Sequence, residues 1–374
     1  MRIAVNTRLL LKNKLEGIGR FTLETLGRMA QQHPEHDFIF IFDRKYDPKF
    51  IFAPNITPVV VGPQARHPFL FVIWFELSLP RILRKYKADV FLSPDGFLSL
   101  RSKVPSLLVI HDLNFEHYPK DLPLLVRKYY KYFVPRFAKK ANAIATVSNY
   151  SKNDIIKLYG IDKNKIEVVY NGVNKVYSPL QDNEKQPVKE RYTGGNDYFL
   201  YVGALHQRKN LVNLFKAFDI YKKRWGKESK LLVVGNKMWW TKAIEQAYNS
   251  MEFKKDVIFE GHKSTVELRE IYGAATALTY VSYFEGFGIP IVESFACGTP
   301  VITSNVTSMP EVAGDAALII DPFNPEDIAE AMNKTEDDQT LRNELIEKGF
   351  QRAGKFTWDE SAEKLWRSLQ ALKH

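Results

Sequence analysis

The chain has 374 residues, enough for two domains at roughly 150 residues each, and its composition of 45% hydrophobic and 26% charged residues is globular. Its single cysteine, Cys297, excludes a framework of internal disulfides. The formal net charge is +10, and the whole positive excess lies in residues 1–180, so phosphorylated substrates, anionic lipid and nucleic acid are the candidate partners.

The apolar runs are all far shorter than the ~18 residues that a membrane span needs. The longest is Phe69–Phe75. The eight histidines and the cysteine are scattered without metal-ligand spacing. We therefore expect a cytoplasmic protein without a bound metal.

Short apolar segments alternate with helical patterns through residues 1–170. The near-continuous apolar character of the segments is typical of parallel strands that are covered on both faces. The predicted strands are Arg2–Asn6, Asp37–Phe42, Ile56–Val61, Ala88–Leu92, Ser106–Ile110, Ala143–Val147 and Ile166–Val169. Helical patterns cover about Gly19–Gln31, Phe69–Tyr86 and Leu122–Ala141.

A polar stretch with two prolines and paired glycines, Asn174–Asp197, is predicted to link two domains. A second alternating series follows it, which predicts a second doubly wound sheet. Its strands are predicted at Tyr198–Val202, Lys230–Val234, Val257–Glu260, Ala277–Val281, Pro300–Thr303 and Ala317–Ile320. In such sheets, ligands bind at the carboxyl ends of the strands.

The strongest chemical signal follows the predicted strand Ala277–Val281. Glu285 and Glu293 are separated by seven residues, among which a glycine turn leads into a short helix. Glycine amides and a helix N-terminus favour phosphate groups, and carboxylates accept hydrogen bonds from sugar hydroxyls. The segment therefore predicts a nucleotide-sugar site.

The segment resembles the signature of the retaining glycosyltransferases of family 4. The matching positions are Glu285, Gly286, Phe287, Gly288, Pro290, Glu293, Ala296, Gly298, Pro300, Val301 and Ser304. The resemblance implies the GT-B fold, an α/β architecture of two doubly wound Rossmann-like domains that face each other across a cleft. We place an acceptor-side domain at 1–180, a donor-binding domain at 181–355, and at 356–374 a helix that returns to the first domain.

The resemblance also implies roles for particular residues. Glu285 contacts the donor sugar and Glu293 the ribose. Arg208 and Lys209, in a family-like element that begins at Gly203, neutralise the diphosphate, so neither a metal nor any other cofactor is expected. His111 reaches the donor sugar from the first domain.

Weaker candidates complete the predicted donor site. Gly17 and Gly19 form a glycine pair about ten residues beyond the first strand, which is too far for a dinucleotide fingerprint. The pair is similar to a family loop that approaches the donor phosphates or the acceptor. Lys263 follows another strand, where the family's backbone reads the base. The glycine turn itself, Gly286–Gly288, is counted with the donor-binding residues.

A basic aromatic stretch, Arg127–Lys140, contains cations and aromatic side chains but no acids. Such composition suits peripheral contact with an anionic membrane, although an ordinary solvated helix face gives the same pattern. Nucleic acid is disfavoured because no known nucleic-acid-binding module is present.

The expected activity is retaining transfer of a hexose from a nucleotide diphosphate sugar to a glycan or lipid-linked saccharide in cell-surface polysaccharide synthesis. GDP-mannose is the first choice of donor, and UDP-glucose and UDP-N-acetylglucosamine remain open. The rival interpretations are a nucleotide-sugar epimerase, an inactive partner subunit of the same fold and, more distantly, an NAD-dependent oxidoreductase.

Overall fold

The computed structural model describes residues 1–12, 15, 17–237 and 240–373. The chain forms two compact units, Met1–Asn171 together with Trp358–His374, and Gly172–Thr357. Each unit is a parallel sheet covered by helices, as the apolar strand pattern predicts.

In the described part of the first unit, seven parallel strands take the order β3-β2-β1-β4-β5-β6-β7. The strands are β1 Arg2–Asn6, β2 Asp37–Phe42, β3 Ile56–Val60, β4 Val90–Ser93, β5 Ser106–Ile110, β6 Ala143–Thr146 and β7 Ile166–Val168. The helices are α1 Gly17–Gln32, α2 Pro68–Ile73, α3 Leu79–Lys85, α4 Asn114–His117, α5 Leu124–Lys140 and α6 Asn149–Tyr159.

In the second unit, the described residues form six parallel strands in the order β10-β9-β8-β11-β12-β13. These are β8 Tyr198–Val202, β9 Lys230–Val234, β10 Val257–Glu260, β11 Ala277–Tyr280, β12 Val301–Ser304 and β13 Leu318–Ile320. The helices are α7 Asp182–Thr193, α8 Leu211–Trp225, α9 Lys242–Asn249, α10 Thr265–Gly273, α11 Ile289–Ala296, α12 Met309–Ala313, α13 Pro325–Asp337 and α14 Gln339–Ala353.

The last helix, α15 (Trp358–Gln370), belongs to the first unit. It packs on α1, where the ring of Trp358 lies 6.2 Å from that of Phe21 and Arg28 pairs with Asp359 at 2.7 Å. The buried residues of α15 recur at helical spacing, so one face is apolar. The predicted return of the final helix is confirmed.

Half of the polar stretch that was predicted as a linker is helical. Helix α7 occupies Asp182–Thr193, with a capping box at Gln181 and Glu184 and a left-handed Gly194 after its last residue. Local capping thus outweighs the low apolar content of this segment. The contact boundary between the units lies after Asn171, earlier than the boundary predicted at residue 180.

Candidate active site

Two adjacent strands of the second sheet bring the charged motif residues together. β8 ends before Gln207–Lys209, which forms a single 3₁₀ turn, and β11 ends before Glu285. Because β8 and β11 are hydrogen-bonded neighbours in a parallel sheet, both loops emerge at the same edge. Lys209 and Glu285 are 76 residues apart in the sequence and are in direct contact in the fold.

Glu285 is paired with both cations of the predicted phosphate site. Its Oε2 lies 2.8 Å from Nη1 of Arg208, and its Oε1 accepts a hydrogen bond from Nζ of Lys209. Burial by itself raises the pKa of Glu285, but the two cations outweigh it and hold that pKa at about 2. The three residues form an ionic cluster of one carboxylate and two cations, in which Glu285 and Lys209 are buried and Arg208 is partly exposed.

A tyrosine under the cluster was not among the sequence-predicted residues. Tyr280 ends β11, is 1% exposed, and its hydroxyl contacts Nζ of Lys209. Burial raises the pKa of Tyr280 well above its usual value, so the phenol stays neutral. In the sequence, Tyr280 reads as one more apolar strand residue, which is why the pattern did not single it out.

The glycine turn is held in shape by the segment that follows β12. Gly288 has φ +102°, a conformation that disfavours residues with a Cβ, and α11 begins directly after it. The hydroxyl of Ser308 donates to the backbone carbonyls of Glu285 and Phe287 at 2.9 and 3.1 Å. The ring of Phe287 is buried and lies 5.4 Å from that of Phe356. The turn Gly286–Gly288 is thus held by hydrogen bonds to its backbone and by packing of the Phe287 ring.

Glu293 lies deeper in α11 than the sequence predicted. It is the fifth residue of the helix, at the start of the second turn, whereas the sequence predicted it in the first turn. Glu293 is 5% exposed, and its carboxylate accepts a hydrogen bond of 3.0 Å from the Tyr272 hydroxyl. The tyrosine helps to hold Glu293 in one orientation, and it too escaped the sequence pattern.

Two further donor-site candidates lie in loops that follow β8 and β10. Gly203 follows β8 and has φ +150°. A Cβ added at Gly235 would lie 1.9 Å from the carbonyl oxygen of Gly203, so the two backbones approach each other closely. Lys263 pairs with Glu260 at 2.6 Å. Since β10 is the outer strand and β11 is three positions along the sheet, Lys263 emerges away from the ionic cluster.

The remaining candidates belong to the first unit. His111 follows β5, and its Nε2 lies 2.8 Å from the carbonyl oxygen of Pro94. Gly17 and Gly19 lie in the first turn of α1 and not in a loop, while their predicted approach to the donor or the acceptor stays a prediction. A Cβ at Gly19 would meet the carbonyl oxygen of Leu9 at 2.9 Å, so close packing requires this glycine.

The aromatic side chains of the Arg127–Lys140 stretch mostly face the interior. Tyr129 and Phe137 are buried in the core of the first unit, and Tyr130 and Phe133 pack against it. Only Tyr132 is exposed, at 53%, with the guanidinium of Arg136 over its ring. Helical periodicity directs these aromatic side chains onto the core of the first unit, and contact of the stretch with a membrane stays a prediction.

Within the described ranges, no group of three or more His, Cys, Asp or Glu side chains is arranged to hold a metal ion. Across the same ranges, every helix falls short of the length and apolar character that crossing a membrane requires.

Comparison with known proteins gives two family models that follow the two units. "Glycosyl transferases group 1" matches residues 182–352, and "Glycosyltransferase Family 4" matches residues 15–176. O-antigen chain mannosyltransferase B of Escherichia coli is 27% identical over 93% of this chain and 94% of its own length.

O-antigen chain mannosyltransferase RfbU of Salmonella typhimurium is 32% identical over 72% of this chain and 71% of its own length. Among solved structures, Anabaena HepE in complex with UDP-glucose aligns over 99% of this chain and 100% of its own, with 14% identity and a TM-score of 0.77, which is a likeness of fold. The chain belongs to the group 1 glycosyltransferases of family 4, enzymes with the GT-B fold.

Proposed function

We propose that this glycosyltransferase moves a hexose, with retention of anomeric configuration, from a nucleotide diphosphate sugar to a glycan or lipid-linked saccharide of the O-antigen type. The ionic cluster of Arg208, Lys209 and Glu285 is the observation that carries the proposal. Two cations held beside one carboxylate match a ligand that joins a diphosphate to a neutral sugar.

Donor binding exchanges partners within this cluster. The diphosphate offers oxygens to Arg208 and Lys209, and Glu285 then turns an oxygen toward sugar hydroxyls. Before the donor binds, the two cations hold the pKa of Glu285 at about 2, so the carboxylate is ionised at neutral pH when the donor arrives and can accept hydrogen bonds. The cations also stabilise the negative charge that develops on the leaving diphosphate, a role worth about 10²–10³ in rate for one donor group in other enzymes.

The proposed donor is GDP-mannose. The supporting observation is that two relatives matched along most of their length carry the name mannosyltransferase. UDP-sugars are the alternative, since HepE with the same fold was solved with UDP-glucose. We also propose that transfer needs no metal, because Arg208 and Lys209 supply the charge that a divalent ion would otherwise provide.

A panel of GDP-mannose, UDP-glucose and UDP-N-acetylglucosamine tests the proposal, each incubated with lipid-linked saccharide acceptor and with EDTA. We expect an acceptor-dependent product from GDP-mannose with the donor's anomeric configuration, as read by NMR. Isomerised donor without acceptor would establish an epimerase instead. The absence of donor binding by calorimetry together with the absence of product would establish an inactive protein.

We further propose that the exposed face of α5 contacts anionic lipid, which would bring the enzyme to a lipid-linked acceptor. Leu124 and Leu125 are 54% and 59% exposed at the start of the helix. Exposed cations follow them on the same face: Lys128, Lys131, Arg136, Lys139 and Lys140. Apolar side chains beside cations suit a peripheral membrane contact.

Co-sedimentation with vesicles tests this face. Lys128→Glu with Lys131→Glu is expected to abolish binding to phosphatidylglycerol vesicles, whereas Lys254→Glu with Lys255→Glu reverses two exposed charges of the second unit without effect. Equal binding of wild type to anionic and neutral vesicles would contradict the proposal.

A further inference from the structure

Two aromatic side chains stack at the carboxyl edge of the second sheet. Tyr283 follows β11 and Phe323 follows β13, and their ring centres are 6.1 Å apart with the ring planes inclined by 23°. Phe323 is 57% exposed and Tyr283 is partly exposed. Rings at this separation are offset, so part of each face is left open to solvent. We call these two residues the aromatic platform.

The loop that carries Phe323 is fixed on both sides of the ring. Oδ1 of Asp321 accepts a hydrogen bond of 2.9 Å from the backbone amide of Phe323. On the other side, the side chain of Asn324 caps α13. Single exposed apolar side chains are common on protein surfaces and need no explanation. Phe323 differs from them, because it is both stacked on a second ring and held on an anchored loop.

The two loops of the aromatic platform are also joined to the loop that follows β8. Asn210 is buried, and its Nδ2 donates hydrogen bonds of 3.0 and 2.6 Å to the carbonyl oxygens of Val281 and Pro322. Its backbone has φ +62°, a conformation that asparagine tolerates better than most residues. One side chain thus connects the ends of three loops and limits their independent movement.

The aromatic platform adjoins the ionic cluster that is proposed to bind the donor. The backbone amide of Tyr283 donates a hydrogen bond of 3.0 Å to the carbonyl oxygen of Arg208. Nη1 of Arg208 in turn donates to the carbonyl oxygen of Phe284 at 3.0 Å and lies 2.8 Å from Oε2 of Glu285. A ligand on the aromatic platform would therefore lie close to the proposed donor.

A sugar ring matches the chemistry of this surface. One face of a pyranose presents C–H groups that pack on aromatic rings, and its edge carries hydroxyl groups. The aromatic platform offers flat apolar rings, and polar residues, Asp321 and Asn324, flank Phe323 in the sequence. Aromatic surface with a few polar groups around it is typical of small-molecule sites. A lipid chain has no hydroxyl groups to match these polar neighbours.

We propose that the aromatic platform is an acceptor subsite, in which Tyr283 and Phe323 bind a sugar residue of the acceptor glycan by stacking. The inference rests on the proposed hexosyl transfer. It adds a contribution from the second unit to acceptor recognition, which the sequence assigned to the domain at 1–180. The two rings bind and orient the acceptor and take no part in the chemical step.

Steady-state kinetics with GDP-mannose and the lipid-linked saccharide acceptor test the stacking. Phe323→Ala is expected to raise the KM for the acceptor about tenfold, the order of one aromatic contact, and to retain kcat. Phe323→Tyr keeps a flat ring and should behave like wild type. Phe323→Leu keeps an apolar side chain without a flat ring and should behave like Phe323→Ala. A wild-type KM in Phe323→Leu would overturn the stacking.

Phe350→Ala is the matched control, because it removes another exposed phenylalanine of the same unit. Phe350 is 41% exposed and lies beside Gly298, which precedes β12 and is thus at the opposite edge of the sheet. Its acceptor KM should equal that of wild type, and melting temperatures of all variants serve as the folding control. The same rise in KM in Phe350→Ala as in Phe323→Ala would overturn the proposal.

Calorimetry with GDP and with UDP distinguishes an acceptor sugar from a nucleobase, which also stacks on aromatic rings. Phe323→Ala should bind both nucleoside diphosphates as tightly as wild type does. A loss of affinity for either of them that equals the rise in acceptor KM would assign the aromatic platform to the donor and overturn the proposal.

Aromatic ¹H–¹³C NMR of the wild-type protein detects saccharide binding without transfer. Mannotriose, maltotriose and chitotriose are the probes. The ring signals of Tyr283 and Phe323, assigned with Tyr283→Phe and Phe323→Leu, are expected to shift with at least one of them. Unchanged ring signals with all three probes would overturn the proposal and would assign any effect of the variants on the lipid-linked acceptor to its lipid.

The experiments separate this inference from the proposed function. If wild type transfers no sugar but a trisaccharide shifts the ring signals of Tyr283 and Phe323, the proposed function fails and the saccharide subsite stands. If wild type transfers sugar and Phe323→Ala keeps the wild-type KM for the acceptor, the subsite fails and the proposed function stands.

Discussion

The two units share one architecture, but the side chains at the carboxyl edges of their sheets differ in charge. The edge of the second unit concentrates charge, with Arg208, Lys209 and Glu285 paired above the neutral Tyr280. The corresponding edge of the first unit presents His111, whose pKa burial lowers, on a backbone carbonyl. The comparison teaches that strand ends of one architecture can present either a cluster of ionised side chains or an imidazole whose burial disfavours the charged form.

The largest effect is expected at Lys209. Lys209→Ala removes a cation from the leaving diphosphate, so transfer should fall about 10²–10³-fold. Donor affinity should change much less, because Arg208 remains. Steady-state kinetics and calorimetry measure the two quantities. Lys227→Ala, which removes an ion-paired lysine of the same unit, should change neither. A loss confined to donor affinity would contradict a role in the leaving step.

The next largest effect is expected in the stability of the protein at acidic pH, through Glu285. The folded pKa of Glu285 is about 2, below its ordinary value of 4.5, so its stabilising contribution is present above pH 4.5 and is lost as the pH falls toward 2. The contribution is on the order of 3 kcal/mol. Urea unfolding of wild type and Glu285→Gln between pH 7 and 3 measures it. Parallel losses in both proteins would show that other groups control acid stability.

A smaller effect is expected at Glu293. Glu293→Gln keeps the side-chain shape but replaces the charged acceptor of the Tyr272 hydrogen bond. Donor affinity should weaken about tenfold, the value of one hydrogen bond to a charged group. Calorimetry with the donor and with the free nucleoside diphosphate should show the same loss, because the proposed contact is to ribose. A loss specific to the sugar would contradict that assignment.

The smallest effects on donor binding are expected at the two glycines of α1, where only stability should change. Gly19→Ala forces a Cβ against the carbonyl of Leu9 and should cost about 1–3 kcal/mol of unfolding free energy. Gly17→Ala, at an exposed position of the same turn, should be nearly neutral. Neither change should alter donor affinity once the protein is folded. A weaker donor affinity in Gly17→Ala would instead support the predicted role of Gly17 in donor binding.

Site residues that are close together in the sequence were predictable, whereas those that meet only in the fold were not. Glu285, Gly288 and Glu293 lie within nine consecutive residues, so a single segment carried the prediction. Tyr272 and Tyr280 were missed because a buried strand or helix tyrosine looks like any core aromatic. The buried ion pair of Arg8 and Asp95, at 2.6 Å, was missed because its two residues are 87 positions apart and meet only through the strand order.

The sequence by itself determined the strand and helix alternation, the two doubly wound units and the membership in the glycosyltransferase family, since these follow from periodicity and from a contiguous motif. The tertiary structure decided which charges meet: Glu285 with Arg208 and Lys209, and Arg8 with Asp95 beside the Pro94 carbonyl that accepts the hydrogen bond of His111. The physical reason is that parallel strands far apart in sequence end at a common edge, and only the strand order determines which loops become neighbours.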